Sequence, residues 1–272
     1  MHLALTVVVC ARYASVPHGP RYVAWNVMAM AAIIVLASRK GDGWLWEFVH
    51  DWLPAIFFFT MFEEVSFLSL ALRGAWQNSS LIAWESALFA VPPVEWLSRF
   101  SSPWFSELLE LGYLSFYPLY PVVAGVLWLR RRRASYAGAF RCLTDALSVG
   151  YAVCYATYLL FPTRSPSHNL GQTTSVATAP PRGFFRSIVG WLQNNAGVHG
   201  NAFPSAHIML AFTVVVFVVR YFPRFAPWLL VCVLLMCAGA VYDGYHYAVD
   251  VIGGAVVGIA VGVAFVGREA SD

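Results

Sequence analysis

The chain has 272 residues, of which 59% are hydrophobic and 11% charged, and its mean hydropathy is +0.63. A water-soluble domain carries about 25% charged residues, so this composition excludes an ordinary soluble fold and makes lipid the solvent. The net charge of +3 gives no case for a nucleic-acid partner, and the length admits roughly seven spans of ~20 residues with their loops.

The opening "MHLALTVVVCAR" has a short apolar run, no basic leader region and no evident cleavage site. It is expected to be part of a helix, or a start placed too late, rather than a cleaved signal peptide. Spans are predicted at 22–38, 52–72, 107–129, 139–161, 205–222, 226–242 and 247–266. Glu63 and Glu64 fall inside the second of these. A carboxylate at mid-membrane costs about 2.5–3.5 kcal/mol on insertion scales. Either one of them faces the bundle interior or the span boundary is shifted so that both lie in the interface. Segment 81–100 is apolar but interrupted by Glu85, Pro92, Pro93 and Glu95, which predicts an interfacial or re-entrant helix. No internal repeat suggests a transporter of inverted halves. Cys10, Cys142, Cys154, Cys232 and Cys237 form no CxxC pair and are expected as free thiols, neither metal ligands nor a disulfide framework.

Orientation follows from Lys and Arg. The run Arg130–Arg133, with Arg141 close by, is expected in the cytoplasm as a topology anchor. Alternation then brings Arg39, Lys40, Arg220, Arg224 and Arg268 inside as well, ten basic residues against seven outside. This places three polar stretches, "FPTRSP" (161–166), "FPSAH" (203–207) and "DGYHYAVD" (243–250), together at the extracytoplasmic face.

Each stretch carries a chemical group. His246 and Asp250 are spaced i, i+4, so on a helix a carboxylate can hold one imidazole nitrogen and leave the other nucleophilic. Pro204 and Ser205 suit a helix start, whose first-turn N–H groups form an anion site. His207, beside that start, is placed to act as a general acid. Arg164 is held between two prolines, and a fixed guanidinium suits phosphate. Arg182 and Arg186 offer further cations in the same loop, although loop arginines are more often simply solvated. Together these groups read as phosphate-ester chemistry. No Asp-rich or His-rich cluster suggests Mg²⁺ or Zn²⁺, so no metal and no cofactor is expected.

The order of an arginine loop, "PSAH" and "HxxxD" resembles the type 2 phosphatidic acid phosphatase (PAP2) superfamily over roughly residues 52–266. The resemblance implies an all-α integral membrane protein with a six-helix core, here preceded by one extra N-terminal transmembrane helix. The corresponding division is 1–45 for the extra segment and 46–272 for the catalytic domain. It implies a metal-free reaction in which His246 attacks phosphorus, Asp250 orients it and His207 protonates the leaving group. Ser205 and Arg164 would hold the phosphate, with Arg182 and Arg186 as candidate partners.

Five positions depart from the family pattern. Thr157 stands where the first motif has Lys, Ser165 follows Arg164 in place of Pro, Ala206 replaces Gly, and Gly239 and Ala240 stand where a Ser-Arg pair precedes the third-motif His. "HYAVDVIGG" and the missing cations resemble the inositol phosphorylceramide and sphingomyelin synthase branch, which implies head-group transfer from a phospholipid or sphingolipid substrate. Simple hydrolysis of a lipid phosphate such as phosphatidic acid or a polyprenyl phosphate is the alternative. The expected location is a bacterial inner or plasma membrane, crossed several times. A different class remains open: a haem clasped by His207 and His246. A transporter or an inactive scaffold fits the residues less well.

Overall fold

The computed structural model describes residues 1–12, 16, 18–39, 41–169, 183–196 and 200–268. Among these residues there are helices and no strand. In chain order they are α1 (His2–Ala11), α2 (Gly19–Ser38), α3 (Trp44–Arg73), α4 (Asn78–Leu88), α5 (Pro93–Ser98), α6 (Pro103–Leu114), α7 (Phe116–Arg130), α8 (Ala139–Leu160), α9 (Pro166–Asn169), α10 (Phe184–Ala196), α11 (Ala206–Tyr221), α12 (Ala226–Tyr242) and α13 (Ala248–Val266). Each predicted span coincides with a helix or helix pair. The core comprises α3, the α6–α7 pair, α8, α11, α12 and α13, with α2 as the N-terminal addition and short α1 packed on it.

Among the described residues, three stretches are both long and apolar enough to cross a bilayer: Gly19–Leu36, Pro103–Arg130 and Ala248–Val266. Helices α11 and α12 are apolar but shorter. Helices α3 and α8 are long but less apolar, because α3 carries Glu63 and Glu64 and α8 turns Tyr151, Tyr155 and Tyr158 into the interior. The predicted span 107–129 is broken at Ser115. Pro118 has no N–H to return to the Leu114 carbonyl and its ring crowds that carbonyl. Segment 81–100 forms α4 and α5, neither long enough to cross.

Glu64 faces the interior and is buried. Asn26 of α2 donates to its Oε1 at 2.8 Å, and the Asn26 Oδ1 lies 2.6 Å from Nδ1 of His2 on α1. Tyr22 donates to Glu63 at 3.3 Å. A chain of polar contacts thus fastens the N-terminal pair to the core, where apolar packing in lipid would supply little preference.

Helices α11 and α13 set the site. Gly254 and Gly258, one turn apart on α13, lie against the backbone of α11. A Cβ at Gly254 would collide with the Ser205 carbonyl, and one at Gly258 with the Met209 carbonyl. Thr213 donates across the same seam to the Gly258 carbonyl at 3.1 Å. Gly125 on α7 is different, because an added Cβ there meets nothing within 4 Å. Gly258→Ala is therefore expected to cost about 1–3 kcal/mol through overpacking. Gly125→Ala should be neutral or stabilising by up to about 1 kcal/mol. Thermal unfolding of both variants in detergent checks the contrast, and equal melting temperatures would show that the seam tolerates a methyl group.

Candidate active site

The three polar stretches come together through backbone hydrogen bonds. The loop after α8 is tied to the loop before α11 by Ala202 N–H to Thr163 O (3.3 Å) and Phe203 N–H to Thr163 Oγ1 (3.0 Å). It is tied to the turn after α12 by Ser167 N–H to Gly244 O (3.0 Å). Ser205 N–H donates to the Asp250 carbonyl at 3.0 Å, joining the starts of α11 and α13. Tyr158 on α8 donates to the Pro204 carbonyl at 2.7 Å and fixes the approach to α11.

Within this frame His246 Nδ1 lies 3.4 Å from Asp250 Oδ2, and its Nε2 lies 3.1 Å from Ser205 Oγ. Asp250 is fully buried and also accepts the Tyr247 N–H at 2.8 Å, so its position is set by the first turn of α13. A carboxylate on Nδ1 leaves Nε2 as the basic nitrogen, directed at the N-terminus of α11. Ser205 caps that helix, with Oγ accepting from Ile208 N–H at 3.4 Å. His207 is half-buried and makes no hydrogen bond among the described residues. Its ring centroid lies 6.1 Å from that of His246, 4.5 Å from Phe116 and 6.2 Å from Tyr113. A second imidazole thus stands beside the first on an aromatic wall.

A sequence profile described as the PAP2 superfamily matches residues 79–264. The chain belongs to the PAP2 superfamily. The matched region holds Arg164, Ser205, His207, His246 and Asp250, and leaves out α1, α2 and α3. A crystal structure of LpxE from Aquifex aeolicus aligns with a TM-score of 0.45 and 20% identity, covering 63% of this chain and 90% of that one. No curated protein matches the chain.

The candidate phosphate ligands of this PAP2 protein sit differently from one another. Arg164 is held through its backbone, exchanging hydrogen bonds of 2.9 and 3.0 Å with the Asn78 side chain. Its guanidinium carbon lies 4.4 Å from the Trp76 ring centroid, and its buried Nε has no hydrogen-bond partner. Arg186 lies on α10, whose first N–H groups, those of Phe185 and Arg186, donate to Glu107 at 2.9 and 3.1 Å. Its guanidinium forms ion pairs with Glu110 of α6 and Asp243 at the end of α12. Arg182 lies outside the described residues.

Glu110, Asp243 and Tyr245 went unassigned by the sequence. The Tyr245 hydroxyl donates to Glu110 at 3.2 Å and its ring lies 4.9 Å from that of Tyr113, which in turn faces His207. Burial, together with the Glu110 carboxylate beside it, pushes the Asp243 carboxyl well above the usual range. Burial alone would lower Arg186, but Asp243, Tyr245 and Glu110 outweigh it and raise its pKa. Asp243 stood in view in "DGYHYAVD". Glu107 and Glu110, three apart, carried a one-face signal that marks where α10 docks. Glu85 was read only as an interruption of an apolar run. It is buried, its carboxyl pushed up by that burial, and it accepts the Val249 N–H at 3.4 Å at the start of α13.

The buried pairs of Arg186 generate a prediction. Removing one partner of a buried ion pair costs about 3–5 kcal/mol, because the other charge is left unpaired. Arg186→Met is expected to lose stability on that scale. Adding Glu110→Gln and Asp243→Asn should return much of it. Melting curves of the single and triple variants check this, and a single variant as stable as wild type would contradict the pairing.

Proposed function

We propose that this PAP2 protein is an integral-membrane lipid phosphatase or phosphotransferase that works through a phosphohistidine. The observation that carries the reading is the line Asp250–His246–Ser205, with His207 beside it, at the meeting of three loops. A substrate phosphate seated at the start of α11 faces His246 Nε2. Attack of Nε2 on phosphorus forms the P–N bond and breaks the bond to the leaving oxygen, which takes a proton from His207. Water, or the hydroxyl of an acceptor, then gives its proton to His207 and attacks phosphorus, and the P–N bond breaks to restore His246. Asp250 stabilises the charge that develops on the imidazole in both halves.

The preferred form is transfer of a phosphoryl head group to an acceptor hydroxyl, as in the inositol phosphorylceramide synthase-like branch. Cation supply supports it: Arg164 has an unpartnered Nε, whereas the charge of Arg186 is offset by two carboxylates. A singly charged phosphodiester needs fewer cations than a phosphomonoester. We assign residues 46–272 to the catalytic domain and 1–45 to an accessory segment. The site is assigned to the extracytoplasmic face of a bacterial inner or plasma membrane, since the arginine-rich ends of α2, α7 and α8 lie at the other end of the bundle. Family membership favours this chemistry over a haem held by His207 and His246, and His246 directs Nε2 at Ser205.

His246→Ala should abolish turnover while expression persists, with activity above a few per cent of wild type refuting a nucleophilic role. Asp250→Asn should be severe, since it favours the wrong tautomer. The loss in His207→Ala should depend on the leaving group, being larger for a lipid alkoxide than for p-nitrophenolate, which leaves without help. Equal losses on both esters would move His207 to phosphate binding.

Transfer and hydrolysis are separated by one assay in detergent with EDTA present. It pairs phosphatidic acid, then a phosphodiester lipid, with candidate hydroxyl acceptors. Head-group transfer from the diester, insensitive to EDTA, with slow phosphate release from phosphatidic acid is the expected result. Fast release from phosphatidic acid and no product from the diester would make the protein a simple lipid-phosphate phosphatase.

A further inference from the structure

The end of the bundle remote from His246 holds a cavity of about 590 Å³ between the end of α2 and the starts of α3 and α8. Helix α8 alone separates the two ends by 22 residues, about 33 Å at the rise of an α-helix. The catalytic reading gives this cavity no role.

Its lining carries Arg39, Arg131 and Arg141. The two acids that share the lining, Glu47 and Asp51, are already engaged. Glu47 pairs with Arg131 and also with Arg132 at 3.2 Å, and these contacts hold its carboxyl below the usual range. Asp51 accepts from Trp128 Nε1 at 2.8 Å and lies 3.3 Å from His50. Arg39 and Arg141 form no ion pair among the described residues, although Arg141 lies within the field of Asp145, one turn along α8. Three arginines against two carboxylates leave one net positive charge, and two guanidinium groups remain open.

The surroundings identify the kind of anion. The wall includes Leu36, Trp46 and Phe140. Beside Leu36, α2 exposes Ile33, Ile34 and Val35, and next to Trp46 the chain exposes Trp44 and Leu45. Apolar side chains flanked by exposed tryptophan and arginine make up the level at which a bilayer meets water. A soluble phosphate would have no use for the apolar approach.

We propose that this cavity binds the head group of an anionic phospholipid, with its phosphate on Arg39 and Arg141 and its acyl chains along the exposed face of α2. Basic pockets between transmembrane helices hold such head groups by charge and by the level at which they sit. The site would fasten the N-terminal pair to α3 and α8 from below, as Asn26 and Glu64 fasten it within the bundle.

The test uses the purified full-length protein in detergent and counts bound lipid by native mass spectrometry. Phosphatidylglycerol and phosphatidylcholine are added in equal amounts to wild type and to Arg39→Gln/Arg141→Gln. Wild type should retain phosphatidylglycerol preferentially, and the double variant should lose that binding roughly thirtyfold. If the double variant does not fold, Arg141→Gln alone carries the test, with a loss of about fivefold. Equal retention of the two lipids by wild type, or an undiminished preference in the variants, overturns the proposal. Displacement of phosphatidylglycerol by millimolar inorganic phosphate would overturn the lipid assignment, because the anion alone would then suffice.

Discussion

The close approach of α11 and α13 is the constraint on which the site depends. In lipid the packing of two helices gains little from hiding apolar surface, so it rests on contact distance and on hydrogen bonds between backbones. Gly254 and Gly258 allow α13 to lie against the Ser205 and Met209 carbonyls. At the upper end of the seam the Ser205 N–H reaches the Asp250 carbonyl. His246, its Asp250 carboxylate and the start of α11 are therefore held by one rigid contact. A side chain larger than hydrogen at either glycine would part Ser205 from His246 before it touched any reacting group.

Charge is placed on the same plan. Ionisable side chains within the bundle are costly and persist only with partners. Glu64 is held by Asn26, Asp250 by His246 and Tyr247, and Glu110 and Asp243 by Arg186. Glu85 accepts N–H at the start of α13, where a negative group is favoured by the helix dipole. The buried atoms near the site without a hydrogen-bond partner are Arg164 Nε, His246 Nδ1, Asp250 Oδ1, Glu110 Oε2 and Asp243 Oδ2, and the half-buried ring of His207 makes no hydrogen bond among the described residues. Arg164 and His207 are groups that phosphate chemistry would employ.

The spans were legible in the sequence because length and apolarity alone define them, and every predicted span has its helix. So was the union of the three polar stretches, because alternation of the spans carries the loop after α8, the start of α11 and the end of α12 to one end. The break at Ser115 was less legible. Pro118 signalled it, but an apolar run continues on both sides. The Glu110–Arg186–Asp243 contacts were illegible, since they join α6, α10 and the end of α12 across long separations with no shared spacing. Arg186 looked like a solvated loop cation because nothing in "PPRGFFRS" shows two acids arriving from elsewhere. The basic cavity was half legible. The arginines were read as a topology anchor, but the fact that Arg39, Arg131 and Arg141 line one space requires the fold.

The missing Ser-Arg pair has a structural counterpart. Gly239 and Ala240 occupy its place on α12, and Ala240 is fully buried. A Cβ at Gly239 would come within 2.7 Å of the Leu109 carbonyl on α6, so α12 and α6 are in backbone contact there. An arginine at position 240 would have no room in that packing. The same contact brings Glu110, the next residue on α6, to Asp243 at the end of α12, and two buried carboxylates so placed require a cation. Arg186 enters from α10 to supply it. The turn that Arg186 holds also carries Tyr245 and His246, whose N–H groups both donate to the Ala240 carbonyl at 2.9 Å. The small residues on α12 and the cation on α10 thus belong to a single packing arrangement. In that arrangement the charge of Arg186 is used to hold the turn before His246, while the buried Nε of Arg164 keeps a donor free of any hydrogen-bond partner.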